Sequence, residues 1–297
     1  MKTRLKGNDL AQLAATVLCG AFVITAHAAP TVITNGVDTS ATIDDAGYFS
    51  ATSSLGLSFM GREFVNHGTF ASNWSLNANG LSAGIADESN GSNPFGSTAT
   101  ANIDGSVLVT SSPGSDWSIT QKVSIPESGH VAVEIQLTNR TGATATDVEW
   151  GVGLDPDQGI PAGLGYGTRN VINAVGENAS VTATSADGWA ISLVNLLGGS
   201  TNSIAAYIDP ASCCSPVNPD LMLTSGQLPG SYGFFDRSIN LAYDFGTIDN
   251  NQTVSFGYEY IMAISTPPPI PEPSSYAMLL TGLGLLGFAV HRRKQNT

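Results

Sequence analysis

Basic side chains are scarce in this chain of 297 residues, where 11 Lys and Arg stand against 24 Asp and Glu. Six of the eleven (Lys2, Arg4, Lys6, Arg292, Arg293 and Lys294) crowd the two ends. Between residues 29 and 270 five basic residues face 22 acids, a net charge of −17. Phosphate contacts need clustered Lys and Arg, so nucleic acid is excluded as a partner. Histidine is almost missing from the same stretch, which holds only His67 and His130. That leaves little from which to build a Ser-His-Asp triad. No H-E-x-x-H zinc motif occurs, and no nucleophile elbow is read. Between the ends, no run of ten or more residues carries a helical apolar period. These absences favour a non-catalytic, non-helical protein.

What is present alternates. Val131, Val133, Ile135 and Leu137 interleave with Ala132, Glu134 and Gln136. Trp117, Ile119, Val123 and Ile125 repeat the pattern, as do Val254, Phe256, Tyr258, Tyr260 and Met262. Period two puts one face of a strand on a core and the other toward solvent. Turn dipeptides separate the runs: Asn35-Gly36, Asn79-Gly80, Asn90-Gly91, Asp104-Gly105 and Asp187-Gly188. The expected fold is all-β, a large two-sheet antiparallel β-sandwich spanning residues 29–265.

The two ends read as addresses. Lys2, Arg4 and Lys6 precede an apolar stretch from Leu10 to Thr25, and Ala26-His27-Ala28 supplies small residues for cleavage. Residues 1–28 are therefore expected to be a signal peptide. Residues 266–273 form a Pro-rich linker ending in Pro271-Glu272-Pro273. Residues 274–297 hold an apolar run followed by Arg292-Arg293-Lys294. Its 17 residues from Ser274 to Val290 are a short but sufficient membrane span. The three cations would hold that end in the cytoplasm. Gly282-Leu283-Gly284-Leu285-Leu286-Gly287 matches a dinucleotide fingerprint. It lacks the strand, the helix of ordinary length and the later acid that such a site needs.

The Pro-Glu-Pro box, the Gly- and Leu-rich apolar helix and the terminal Arg-Arg-Lys cluster together resemble the PEP-CTERM sorting tail. The resemblance implies export by a Gram-negative bacterium that makes exopolysaccharide. It implies an inner-membrane-anchored intermediate, processing by an exosortase, and arrival at the cell surface or outside the cell. The body also resembles galactose-mutarotase-like sandwiches at Gly61-Arg62-Glu63-Phe64-Val65-Asn66-His67-Gly68 and along Phe245–Phe256. The catalytic His and Glu of that family have no counterpart here, since neither His67 nor His130 sits in a matching motif.

Local candidates are few. Asp155-Pro156-Asp157-Gln158-Gly159 sets two carboxylates two residues apart before a glycine, a pattern able to wrap calcium. It is not an EF-hand, because the twelfth position is Tyr166. The alternative is a capped, solvent-exposed turn. Trp117 and Trp189 are expected in the core, whereas Trp74 and Trp150 are candidates for contact with a sugar. Adjacent Cys213 and Cys214 could form an intramolecular disulfide, remain two free thiols or pair between molecules. The expected role is that of an exported surface or matrix protein associated with extracellular polysaccharide. The alternative is a carbohydrate-binding or carbohydrate-modifying protein.

Overall fold

A computed structural model describes residues 30–49, 56–65, 71–196, 199 and 201–265. The signal peptide, His67, the Pro-rich linker with Pro271, Glu272 and Pro273, and the anchor with Arg292, Arg293 and Lys294 lie outside the described residues. Among the described residues no helix is long and apolar enough to cross a membrane.

The chain begins with β1 (Thr31–Thr34), β2 (Thr39–Ile43), β3 (Leu57–Phe59), β4 (Arg62–Glu63), β5 (Ser72–Ala78) and β6 (Leu81–Asp87). It continues through β7 (Thr98–Ala101), β8 (Val107–Thr110), β9 (Trp117–Ser124), β10 (His130–Asn139), β11 (Ala145–Leu154) and β12 (Thr168–Ala174). Then come β13 (Ser180–Thr184), β14 (Trp189–Asn195), β15 (Ser203–Ile208), helix α1 (Pro219–Thr224), β16 (Gly230–Phe235), β17 (Ile239–Ile248) and β18 (Thr253–Ile264).

The strands form antiparallel sheets of nine, five and four. The nine-stranded sheet runs β16-β12-β13-β14-β18-β10-β9-β8-β7 and the five-stranded sheet β15-β17-β11-β5-β6. Trp150 and Tyr243 of the smaller of these two meet Phe256 of the larger, at ring-centroid distances of 5.6 and 5.0 Å. These two sheets are the halves of a sandwich.

The expected pair of sheets is therefore corrected to three. The additional sheet, β1-β2-β3-β4, has strands of two to five residues, too short to show a period. It is tied to the sandwich by Phe49 packing edge-on to Tyr260 at 5.1 Å. The Gly129 amide also donates to Thr39 Oγ1 at 2.8 Å.

The alternating runs behave as their period requires. β10 and β18 pair with Val133 opposite Tyr258, Ile135 opposite Phe256 and Leu137 opposite Val254, and all six side chains are buried. Asn79-Gly80 joins β5 to β6, and both residues have positive φ (55° and 70°). Such a two-residue turn matches the twist of a hairpin. Helix α1 lies on the outside of the five-stranded sheet, with Met222 buried against it. A Cβ at Gly151 would stand 2.8 Å from the Met222 methyl, so the bare backbone there admits the helix.

Trp74 and Trp150 correct the expectation of a sugar contact. They are 1% and 0% exposed, and their rings stack at 4.4 Å and 7°. Phe95 extends the stack over Trp74 at 5.7 Å, and Trp74 Nε1 donates to Ala46 O at 2.8 Å. β5 and β11 are neighbours and their register sets Trp74 opposite Val152, next to Trp150 opposite Leu76. These large apolar rings fill the space between the sheets, where they contribute most. Trp117 is buried, as its phase requires, and Trp189 is partly buried under the Arg62 guanidinium, 4.9 Å from its ring centre.

Candidate cation site

Asp155 and Asp157 open the connection from β11 to β12, and so the crossing from the five-stranded to the nine-stranded sheet. Backbone bonds pin this segment under neighbouring chain. The Asp155 amide donates to Ala71 O at 2.8 Å and the Asp157 amide to Phe64 O at 2.9 Å. Gln158 Nε2 donates to Ala183 O and Trp189 O, while Arg62 Nη1 donates to Gln158 O at 2.8 Å. The result is not an exposed turn: Asp155 is 2% and Asp157 0% exposed.

The side chains are left bare. Neither carboxylate oxygen of Asp157 has a hydrogen-bond partner, nor does Asp155 Oδ1. Asp155 Oδ2 lies 3.4 Å from Cys214 Sγ. Cys213 and Cys214 are joined in a disulfide, one of the three arrangements open to them, and a bridged sulfur has no proton to donate.

A third acid, Asp236, arrives from the turn between β16 and β17, another of the crossings between the two large sheets. One oxygen each from Asp155, Asp157 and Asp236 lies within 4.8 Å of the other two. Asp236 is exposed and gives the group a path to solvent.

Burial raises the Asp155 and Asp157 carboxyls above the usual range. The charge of Asp236 adds to this at Asp155; Asp155, Asp236 and Glu63 add to it at Asp157. Glu63 is itself held by the Gly56, Leu57 and Val65 amides. The cations nearby are committed elsewhere, with Arg62 paired to Asp187 at 2.9 Å and Arg237 over the Phe235 ring. Three clustered carboxylates can be relieved by protons or by a hard cation bound through oxygen.

Sequence reading missed Asp236, which no local pattern marks. It also missed the exposed aromatics Phe234 and Phe235 just before it, and Tyr166. Phe234, Phe235 and Tyr166 are each about half exposed. Two consecutive aromatics at 234 and 235 break period-two alternation, a signal that was there to be read. The string Gly80-Leu81-Ser82-Ala83-Gly84 matches G-x-S-x-G. It occupies the β5–β6 hairpin rather than the strand-turn-helix elbow that exposes a nucleophile. His130 Nδ1 lies 3.0 Å from Glu259 Oε1 on the neighbouring strand.

Comparison with known proteins locates a PEP-CTERM protein-sorting motif at residues 269–294. That motif marks an exported, exosortase-processed chain with a membrane-anchored intermediate. No curated protein sequence matches the chain. Among solved structures it is similar to heparan sulfate lyase HepC from Pedobacter heparinus, at 12% identity and a TM-score of 0.41. The match covers 78% of this chain and 34% of that one. It is also similar to a polysaccharide lyase, at 13% identity and a TM-score of 0.35, over 66% of this chain and 26% of that one. The chain thus spans about a third or less of the length of these enzymes. Superpositions of this quality fix neither family nor activity.

Proposed function

We propose that this is a surface or extracellular-matrix protein, without catalytic activity, that resides with exopolysaccharide. The observation that carries it is the sorting motif at residues 269–294, placed after a large acidic β-body. In this reading residues 1–28 direct entry into the export path. The span from residue 274 then holds the chain in the inner membrane, with Arg292, Arg293 and Lys294 inside. Exosortase cleavage near Pro271-Glu272-Pro273 frees the body. A net charge of −17 between residues 29 and 270 keeps such a body dispersed in a hydrated polymer.

Expression of the full chain in a host with and without its exosortase tests this. With the protease, a shortened form is expected at the surface or in the medium. Without it, or with Pro271→Ala and Glu272→Ala together, the long form is expected in the membrane fraction. A long form confined to the cytoplasm in both hosts overturns the reading.

One observation favours the carbohydrate-binding alternative. Phe234 and Phe235 present half-exposed rings in the two positions before Asp236, and ring faces of this kind suit sugars, which are apolar on one face and polar at the rim. Co-sedimentation with polysaccharide from the producing organism is then expected, and lost in Phe234→Ser with Phe235→Ser. New reducing ends in the same tubes would make the protein an enzyme and displace the non-catalytic reading.

A further inference from the structure

We propose that Asp155, Asp157 and Asp236 bind one calcium ion that clamps two of the crossings between the large sheets, β11 to β12 and β16 to β17. Acidic clusters on surfaces are common and need no ligand. This one differs because two of its members are sealed in the interior and three of their four oxygens have no donor at all. The fourth faces only a bridged sulfur. Among the described residues none of the three acids forms an ion pair. A buried, unpartnered carboxylate is costly and is ordinarily paired or bound to metal.

Calcium fits the donor set. It takes six to eight oxygen ligands at about 2.3–2.6 Å, so two ligands of one ion stand up to about 5 Å apart. Oxygens lying within 4.8 Å of one another are therefore close enough to share an ion. All three donors are hard oxygens, which favours calcium over zinc or copper. Exposed Asp236 leaves room for water to complete the shell and for the ion to enter.

The position gives the ion its role. Asp155 and Asp157 lie where the chain passes from β11 of the five-stranded sheet to β12 of the nine-stranded one, and Asp236 lies where it passes from β16 of the nine-stranded sheet to β17 of the five-stranded one. β12 and β16, which follow and precede these crossings, are paired along the sheet edge. One ion holding both crossings locks that edge strand to the sandwich. Extracellular calcium modules work at about 0.1–1 mM. A chain exported as the sorting motif indicates would meet such calcium only outside the cell, so the clamp would close after export.

The test uses the full chain in mild detergent, stripped with EGTA and titrated with calcium by calorimetry, with terbium luminescence as a second reporter. The expected result is one ion per chain and a rise in melting temperature of about 5 °C at millimolar calcium. Asp157→Asn and Asp236→Asn should each abolish binding and the rise, while Asp104→Asn keeps both. Asp236 is exposed, so its variant reports on binding even if Asp157→Asn folds poorly. Absence of binding and of any rise in the wild type overturns the proposal, and so does a response that survives both variants. Binding that appears only after reduction and is lost on alkylation of Cys213 and Cys214 also overturns it, by moving the metal to Asp155 and the two thiols.

Discussion

Asp104 and Asp157 both lie in connections between strands, and their surroundings are opposite. Asp104, between β7 and β8, accepts from the Ser106 amide at 3.0 Å and the Ser106 hydroxyl at 2.7 Å, and faces Lys122 Nζ at 3.3 Å. These bonds hold its carboxyl down to about 2, the Ser106 hydroxyl contributing most. Asp157, between β11 and β12, has no donor at either oxygen, and burial, then Asp155, drives its carboxyl up. The first acid is complete within its own turn. The second is complete only when something outside the polypeptide joins it.

The largest effect separates the fold from the site. Trp150→Ala should cost about 3–5 kcal/mol in denaturant unfolding, because it leaves a cavity beneath Trp74 and Phe256. The loss should be equal in calcium and in EGTA. If the folded variant no longer responds to calcium, the response belongs to the sandwich as a whole and the contrast between the two turns collapses.

A smaller effect of opposite sign is expected at the bare acid. In EGTA at pH 7, Asp157→Asn should stabilise by about 1–3 kcal/mol, since it removes the cost of neutralising a buried carboxyl on folding while keeping the shape. The urea midpoint measures this. A lower midpoint would mean that the native carboxylate is well accommodated without an ion.

The smallest effect is expected at the complete acid. A carboxyl lowered on folding adds stability above its unfolded pKa of about 3.9, and that stability is lost as pH falls through the folded value of about 2. Asp104→Asn should therefore melt slightly below wild type at pH 7, with the gap closing by about pH 2. A gap that widens in acid would mean the Ser106 and Lys122 contacts do not favour the charged form.

Much of the scaffold was legible. The runs at 131–137 and 254–262 lie in adjacent strands with the alternate side chains buried, and Asn79-Gly80 closes the hairpin it suggests. The first sheet was not legible, because strands as short as Arg62–Glu63 carry no period. The site was half legible. The spacing of Asp155 and Asp157 marked them as a pair able to wrap a cation or as an exposed turn, and nothing local announces their burial or Asp236. The tryptophans misled for a related reason: flanking polar residues in Ser72-Asn73-Trp74-Ser75 suggest a surface, yet all seven residues of β5 are buried. That strand lies inside its sheet, between β11 and β6, so even polar side chains on it are covered.

The sequence by itself determined the sorting motif, the acidic balance and the strand-forming character of the body. Each of these is written in composition or in short-range order along the chain. Only the tertiary structure decided that Asp155, Asp157 and Asp236 share one place and that two of them are shut away from water. Contact between distant segments depends on which strands pair and in what order, and the cost of a charge depends on the dielectric around it. Neither quantity exists until the sheets have closed on each other.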